Sequence, residues 1–320
     1  MSDKKLAVIM DPLQNIKPHK DSSLAMMLEA QERGFEIFCG DLEDIWLSGD
    51  VPRGRLKKVE VFDDPKRWFA FGDTVDVDLS QFNAILMRKD PPFDIQYVFS
   101  TYVLEQAQRQ GTLVVNDPQG LRDANEKAFL AWFPDCVPAT LIARSLEQMR
   151  DFIAQHKKVV VKPLDMMGGR SVFVTDLKDG NHKVIFETVS NYGQRYTMLQ
   201  KYISEITTSG DRRILLVDGQ PIPFALARIP TAGDHRGNMD AGAHIEVHPL
   251  TGREQAICEK IGPVLREKGL LFAGIDIIGD SMTELNVTSP TGIRELERET
   301  GLSITGQLFD AILSRCDTPP

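Results

Sequence analysis

The sequence predicts an α/β unit built on a mainly parallel, doubly wound sheet, followed by an α+β region of antiparallel hairpins. Two observations carry this. Over the first third, short apolar runs alternate with segments of helical period, whereas from about residue 125 the strands come in neighbouring pairs joined by glycine-containing turns. A third observation sets the scale: at about 150 residues per domain, 320 residues of which 42% are hydrophobic suffice for two or three domains with cores of their own.

In chain order, Leu6 to Met10 reads as a buried strand. Residues 22–33 place Leu24, Met27, Leu28 and Gln31 at helical spacing, with Asp21 or Ser22 as the cap and Gly34 as the stop. Phe35 to Cys39 and Ala84 to Met87 are further strands, followed by a helix from about Ile95 to Gln110 and a strand from Thr112 to Val115. In such a sheet, ligands lie beyond the carboxyl ends of the strands. Residues 88–94 (RKDPPFD) fall at that place, and they read either as a ligand loop or as a proline-stiffened solvated turn. Residues 44–62 read as an inserted hairpin turning at Ser48, Gly49 and Asp50, with no function assigned.

In the second region Val159–Lys162 is expected to pair with Ser171–Thr175, and Ile214–Val217 with Ile222–Ala227 across Asp218 and Gly219. Leu271–Ile278 turns at Gly279 and Asp280 into Met282–Val287. Helices at Leu146–Gln155, Gln255–Lys268 and Gln307–Arg315 cover these sheets. The change of pattern divides the chain into residues 1–122, 123–203 and 204–320.

Charge narrows the function. With 37 Lys and Arg against 46 Asp and Glu, the net charge of −9 argues against DNA, RNA or an anionic membrane as the main partner. No run approaches the roughly 18 apolar residues of a membrane span, and the apolar stretch near the N-terminus is too short for a signal peptide, so a cytoplasmic chain is expected. Cys39, Cys136, Cys258 and Cys316 are far apart and read as reduced, mostly buried thiols. His244 and His248 are four apart, a spacing read as aligning ligands only on a helix; Gly242 and Pro249 bound the stretch, so no metal is assigned there.

Two constellations carry chemistry. Residues 159–171 (VVVKPLDMMGGRS) are a β-branched strand ending in Lys162 and a loop with Gly168 and Gly169. Glycines admit close backbone approach, and the lysine adds positive charge, which together suit a phosphate. Neither a P-loop nor a G-x-G-x-x-G after a strand is present, which disfavours a dinucleotide enzyme. In residues 274–291 (GIDIIGDSMTELNVTSPT), strand alternation puts Glu284 and Asn286 on one face with Asp276 opposite on the neighbouring strand. Those oxygen ligands suit Mg²⁺ held together with nucleotide phosphates; a merely solvated polar face is the other reading.

With these residues in view, the sequence closely resembles the bacterial type of glutathione synthetase, an ATP-grasp ligase. The resemblance runs through residues 8–12 (VIMDP), 88–94, 121–127 (LRDANEK), 226–230 (LARIP) and 284–291 (ELNVTSPT). It implies an ATP-grasp fold preceded by the N-terminal sheet, and formation of glutathione from γ-glutamylcysteine and glycine through an acyl phosphate, with ATP as co-substrate and Mg²⁺ or Mn²⁺ as metal. Lys127 and Lys162 match the lysines that hold the nucleotide phosphates, and Asp165 to Gly169 matches the flap above them. Gln200, Lys201, Tyr202 and Ile203 match the hinge that faces the adenine, and Asp211 the acid near the ribose. Asp276, Glu284 and Asn286 match the metal ligands. Arg213 and Arg228 match cations beside the transferred phosphoryl, and Arg236, on the loop expected to close the site, joins them as a catalytic residue. Arg88, Asp90, Ser289, Thr291 and Arg294 fall on the substrate side. A homo-oligomer such as a tetramer is also implied.

The chain departs from the family pattern twice: Met166 stands where a glycine is usual, and residues 241–248 (AGAHIEVH) lack an expected glycine and Arg-Gly. Both changes lie where a ligase sets what it admits, so a ligase with another acceptor remains open. So does a non-catalytic ATP-binding protein, against which the intact Lys127, Lys162, Asp276, Glu284 and Asn286 count.

Overall fold

The computed structural model describes residues 4–230 and 244–316, and Arg236 lies outside them. Its first sheet grows from β1 (Lys4–Ile9), β2 (Phe35–Gly40), β3 (Ile45–Ser48), β4 (Val51–Val61), β5 (Phe69–Asp78), β6 (Ala84–Met87) and β7 (Leu113–Val115). The order is β3-β4-β2-β1-β6-β7, with β5 also on β4. The β2-β1-β6-β7 half is parallel, and β4 joins β2 antiparallel. The inserted hairpin is therefore an antiparallel arm of the same sheet, and β5 lies in a stretch the sequence reading left unassigned.

The unbroken apolar run of β1 has a simple cause, since both of its faces are covered. Leu6 and Val8 pack with Leu24 and Met27 of α1 (Ser22–Glu32), while Ala7 and Ile9 pack with Leu104 of α2 (Ile95–Arg109). Asp21 caps α1 by accepting from Leu24 N at 2.7 Å. After α3 (Pro118–Asp123) the chain leaves this sheet.

A four-stranded antiparallel sheet, β10-β9-β11-β8, follows from β8 (Thr140–Ala143), β9 (Lys158–Pro163), β10 (Phe173–Asp176) and β11 (Thr197–Lys201). Val159, Val161 and Leu199 face Met149 and Ile153 of α4 (Leu146–His156) and Phe186 of α5 (His182–Val189), a small core of their own. By alternation, Val160 and Lys162 point the other way.

The third sheet, β14-β13-β12-β15-β16, comprises β12 (Asp211–Val217), β13 (Gln220–Ile229), β14 (His244–Pro249), β15 (Phe272–Ile278) and β16 (Ser281–Asn286). Ile214, Leu216, Ile275 and Ile277 pack with Ile257, Ile261 and Leu265 of α6 (Gly252–Glu267). The β12–β13 turn is tucked against that helix: a Cβ on Gly262 would lie 2.1 Å from the Gly219 carbonyl oxygen. α7 (Ile293–Thr300) follows, and α8 (Ile304–Cys316) serves more than the sheets assigned to it from sequence, because Leu308 and Phe309 pack with Leu24 of α1 and Leu215 of β12. The last helix thus joins the first and third sheets.

Candidate active site

The three sheets enclose a cavity of about 650 Å³. Its charged floor follows from strand register. Antiparallel pairing puts Arg213 opposite Asp276, Asp276 opposite Glu284, and Asp211 opposite Arg228. Arg213 donates to Asp276 through Nε (2.8 Å to Oδ1) and NH2 (2.7 Å to Oδ2). Arg228 NH2 lies 2.5 Å from Asp211 Oδ2 and 3.0 Å from Asp276 Oδ2. Burial acts to raise the Asp276 carboxyl, but Arg213 and Arg228 outweigh it and hold the group well below the usual carboxylate range. Asp211 moves the other way: burial pushes it up to about 6, against the pull of Arg228, and its Oδ1 is buried without a hydrogen-bond partner.

Two lysines reach the same floor. Lys127, in the turn after α3, places Nζ 2.9 Å from Glu284 Oε1 and donates to the Met166 carbonyl at 2.6 Å. Lys162, the cavity-facing residue near the end of β9, donates to Gln200 Oε1 at 2.9 Å. Burial lowers the Lys162 ammonium from its ordinary value, which an arriving anion would reverse. In Lys127 the contact with Glu284 outweighs burial and the shift is upward.

The loop between β9 and β10 overhangs these groups. Gly168 (φ 65°) and Gly169 (φ 72°) take the left-handed backbone that glycine permits. Met166 is not among the residues with positive φ, so it occupies this loop without the strain expected of a side chain replacing glycine. Val160, Val174, Tyr202, Ile203, Ile206 and Ile278 form an apolar slot at the cavity's other side, beside the 200–203 hinge.

Toward the first sheet the wall changes character. Asp11, Asn15, Lys17, Lys20 and Asp21, from the loop after β1, stand with Asp90, Thr288, Ser289 and Thr291. Burial raises the Asp90 carboxyl, which is hydrogen-bonded to Ser289. Thr291 Oγ1 accepts from Arg213 NH1 at 3.0 Å, joining this wall to the floor.

Of the residues singled out in the sequence, Lys127, Lys162, Gly168, Gly169, Gln200, Lys201, Tyr202, Ile203, Asp211, Arg213, Arg228, Asp276, Glu284, Asn286, Asp90, Ser289 and Thr291 all line this cavity. Three described ones do not. The Asp165 carbonyl accepts from Phe93 N at 3.3 Å, tying the flap to the proline loop. Arg88 is buried behind the wall, donating to Ser23 Oγ (3.0 Å) and the Pro290 carbonyl (2.9 Å). Arg294 turns into a separate depression, where it binds the Pro18 carbonyl and, at 2.5 Å, Asp63. Through these donors Arg88 and Arg294 brace the wall; the substrate contact expected of them from the sequence stays a proposal.

Sequence reading missed the 11–21 loop and Glu126. The rule that ligands lie beyond carboxyl ends of parallel strands applies to β1 as much as to β6, and was the available signal for the former. His244, Glu246 and His248 form one exposed strand face, each histidine within 3.4 Å of Glu246. Strand alternation aligns residues four apart as well as a helix does. Among the described residues no group of three His, Cys, Asp or Glu side chains is arranged for a metal ion, this one included.

For Mg²⁺ the donor chemistry fits: Asp276 and Glu284 offer hard carboxylate oxygens across one strand pair, beside the amide of Asn286. Two carboxylates and an amide leave coordination to phosphates and water, the usual division for this ion.

Comparison with known proteins agrees in chain order. Models of the prokaryotic glutathione synthetase N-terminal domain and ATP-grasp domain match residues 5–122 and 126–301. Glutathione synthetases of Escherichia coli O6:H1 and Vibrio cholerae are each 50% identical over 311 residues, covering 97% of this chain and 98% of theirs. Among solved structures, D-cycloserine synthetase DcsG is similar with a TM-score of 0.69 at 16% identity, covering 98% of this chain and 100% of that one. D-alanine–D-alanine ligase from Bacillus anthracis, complexed with ATP, has a TM-score of 0.59 at 15% identity, covering 99% and 97%.

Proposed function

The chain belongs to the prokaryotic glutathione synthetase family and ligates γ-glutamylcysteine to glycine with ATP, and we propose that the cavity between its three sheets is where this occurs. The observation that carries the proposal is the convergence of Lys127, Lys162, Arg213 and Arg228 on the Asp276–Glu284 pair at one floor. That floor opens to an apolar slot on one side and a polar wall on the other, so one cavity accommodates a nucleotide end to end with a charged peptide.

In this reading the adenine enters the slot beside Gln200 to Ile203, with Asp211 toward the ribose and the phosphates on Lys127, Lys162 and the Gly168–Gly169 backbone. Asp90, Ser289 and Thr291 receive the dipeptide, with Arg88 and Arg294 bracing the loops behind them. The cysteine carboxylate of the dipeptide attacks the γ-phosphorus while the bond to ADP breaks, giving an acyl phosphate. The neutral amine of glycine then attacks the acyl carbon; phosphate leaves, and the amine proton passes to phosphate or solvent. Arg213 and Arg228 are fixed by Asp276 before substrate arrives, so their charge is set for the phosphoryl oxygens at no further ordering cost. Asp276, Glu284 and Asn286 would hold Mg²⁺ or Mn²⁺, which supplies charge neutralisation for the phosphates. Arg236 is proposed for the closing loop on the family resemblance alone.

The setting proposed is a homo-oligomer in the cytoplasm. The exposed Ile95, Phe99 and Tyr102, on one face of α2, are an apolar surface suited to a subunit contact. Among the described residues no helix is long and apolar enough to cross a membrane.

ADP release measured with Mg·ATP, γ-glutamylcysteine and glycine, omitting each in turn, tests the assignment. All three should be required for sustained release. Release without the dipeptide would overturn it, and equal use of alanine or β-alanine would favour a different acceptor.

A further inference from the structure

The end of β16 poses a backbone problem. β16 is the edge of its sheet, and past Asn286 the chain runs buried, with Val287 and Thr288 both within 3% of complete burial. Buried N–H groups that leave a ladder need acceptors. Here a single carboxylate oxygen supplies them: Glu126 Oε1 accepts from Val287 N at 2.8 Å, Thr288 N at 3.0 Å and Thr288 Oγ1 at 2.8 Å. The Glu126 carbonyl also accepts from Leu285 N at 2.9 Å, and the next residue, Lys127, pairs with Glu284 at 2.9 Å.

We propose that Glu126 is a positioning residue for the dipeptide: by holding residues 287–288, it sets Ser289 and Thr291 against the phosphate-binding floor. Two consecutive residues thereby register three parts of the site to one another. Lys127 reaches the phosphate end, its partner Glu284 the metal end, and Glu126 the strand exit that becomes the peptide wall. The oxygen lies within 3.0 Å of all three donors, so its position fixes theirs. Nothing in the proposed chemistry otherwise employs this group, and its placement near Glu284 is electrostatically unfavourable, so its benefit is geometric.

This inference rests on the reading that Ser289 and Thr291 hold the dipeptide, and the test separates the two. Steady-state KM for γ-glutamylcysteine and for ATP is measured on the full chain carrying Glu126→Gln, Glu126→Asp or Ser289→Ala. Glutamine keeps an acceptor oxygen at the same reach, so Glu126→Gln should stay close to the parent. Aspartate keeps the charge but withdraws the oxygen from buried donors, so dipeptide KM should rise on the order of 10-fold or more while ATP KM holds.

The opposite order, an impaired Gln and an intact Asp variant, would show that the charge matters instead and overturn the proposal. A parallel rise in both KM values would also overturn it. Should Glu126→Asp fail to fold, Glu126→Gln decides alone: loss of dipeptide affinity there defeats the proposal, and its retention with the charge removed supports it. If Ser289→Ala leaves dipeptide KM unchanged, the placement of the dipeptide fails; if Ser289→Ala raises it and Glu126→Asp does not, only the positioning role fails.

Discussion

Arg213 and Asp276 face each other across β12 and β15 and share two parallel hydrogen bonds, of 2.8 and 2.7 Å, in a site where both side chains are almost fully buried. The fork geometry is one that lysine cannot reproduce. Arg213→Lys should therefore lower ligation roughly 100-fold or more, the scale of losing a preorganised donor at a transition state. Asp276→Asn should in addition destabilise the fold by about 3 kcal/mol or more, since Arg213 loses its counter-charge and Arg228 keeps only Asp211. Coupled ADP release and urea denaturation check the two effects, and an Arg213→Lys rate near the parent's would remove Arg213 from the chemistry.

The floor should also leave a pH signature. Asp276 lies below the usual carboxylate range in the folded protein, so its stabilisation is present above about pH 4, the unfolded value, and is lost as pH falls through the folded one. Asp211, raised to about 6, contributes in the opposite sense: its stabilisation is complete below about pH 4 and is lost as pH rises through its folded value. The urea midpoint should thus receive a rising contribution from Asp211 between pH 7 and 5 and a falling one from Asp276 in stronger acid. Asp211→Asn should remove the first contribution and keep the second. A pH 5–7 profile identical in parent and variant would contradict this.

An enzyme that handles a thiol substrate gains from inert thiols of its own. Burial pushes Cys39 and Cys258 each up to about 12, and Cys136 is also buried, while Cys316 is partly exposed and donates to the Asn83 carbonyl at 3.4 Å. A thiol reagent at pH 8 should label at most one group in the native protein, and Cys316→Ser should abolish that labelling. All four should react in guanidinium. Rapid native labelling of two or more thiols would show that the core opens more readily than its packing implies.

Metal and nucleotide should bind together. Asp276 and Glu284 are engaged by Arg213, Arg228 and Lys127, and two carboxylates with one amide leave coordination sites to be filled. Calorimetry should give Mg²⁺ affinity weaker than about 1 mM without nucleotide and tighter binding with a non-hydrolysable ATP analogue. EDTA should stop ADP release and Mn²⁺ restore it. Micromolar Mg²⁺ binding to the protein alone would place the metal at some other set of ligands.

Local pattern made much of this legible. Strand alternation and the short turns at Asp218-Gly219 and Gly279-Asp280 were enough to pair β12 with β13 and β15 with β16, and therefore to put Asp276 beside Glu284. It was less informative where an element's role depends on distant partners. β5 was missed because its exposed, polar-rich pattern marks the outer strand of an arm, and α8 was credited only to the later sheets although it also packs on α1.

The fold class, the pairing of Asp276 with Glu284 and, through the resemblance to a family, the chemistry were legible in the sequence, because each is encoded in spacings of a few residues. Only the tertiary structure decided which groups share a wall. It put the 11–21 loop beside Asp90, buried Arg88 against Ser23 and Pro290, turned Arg294 toward Asp63, and set Glu126 under a strand exit 161 residues away. The physical reason is that a buried donor or charge takes whichever partner the packing of sheets brings within about 3 Å, and no local pattern records that choice.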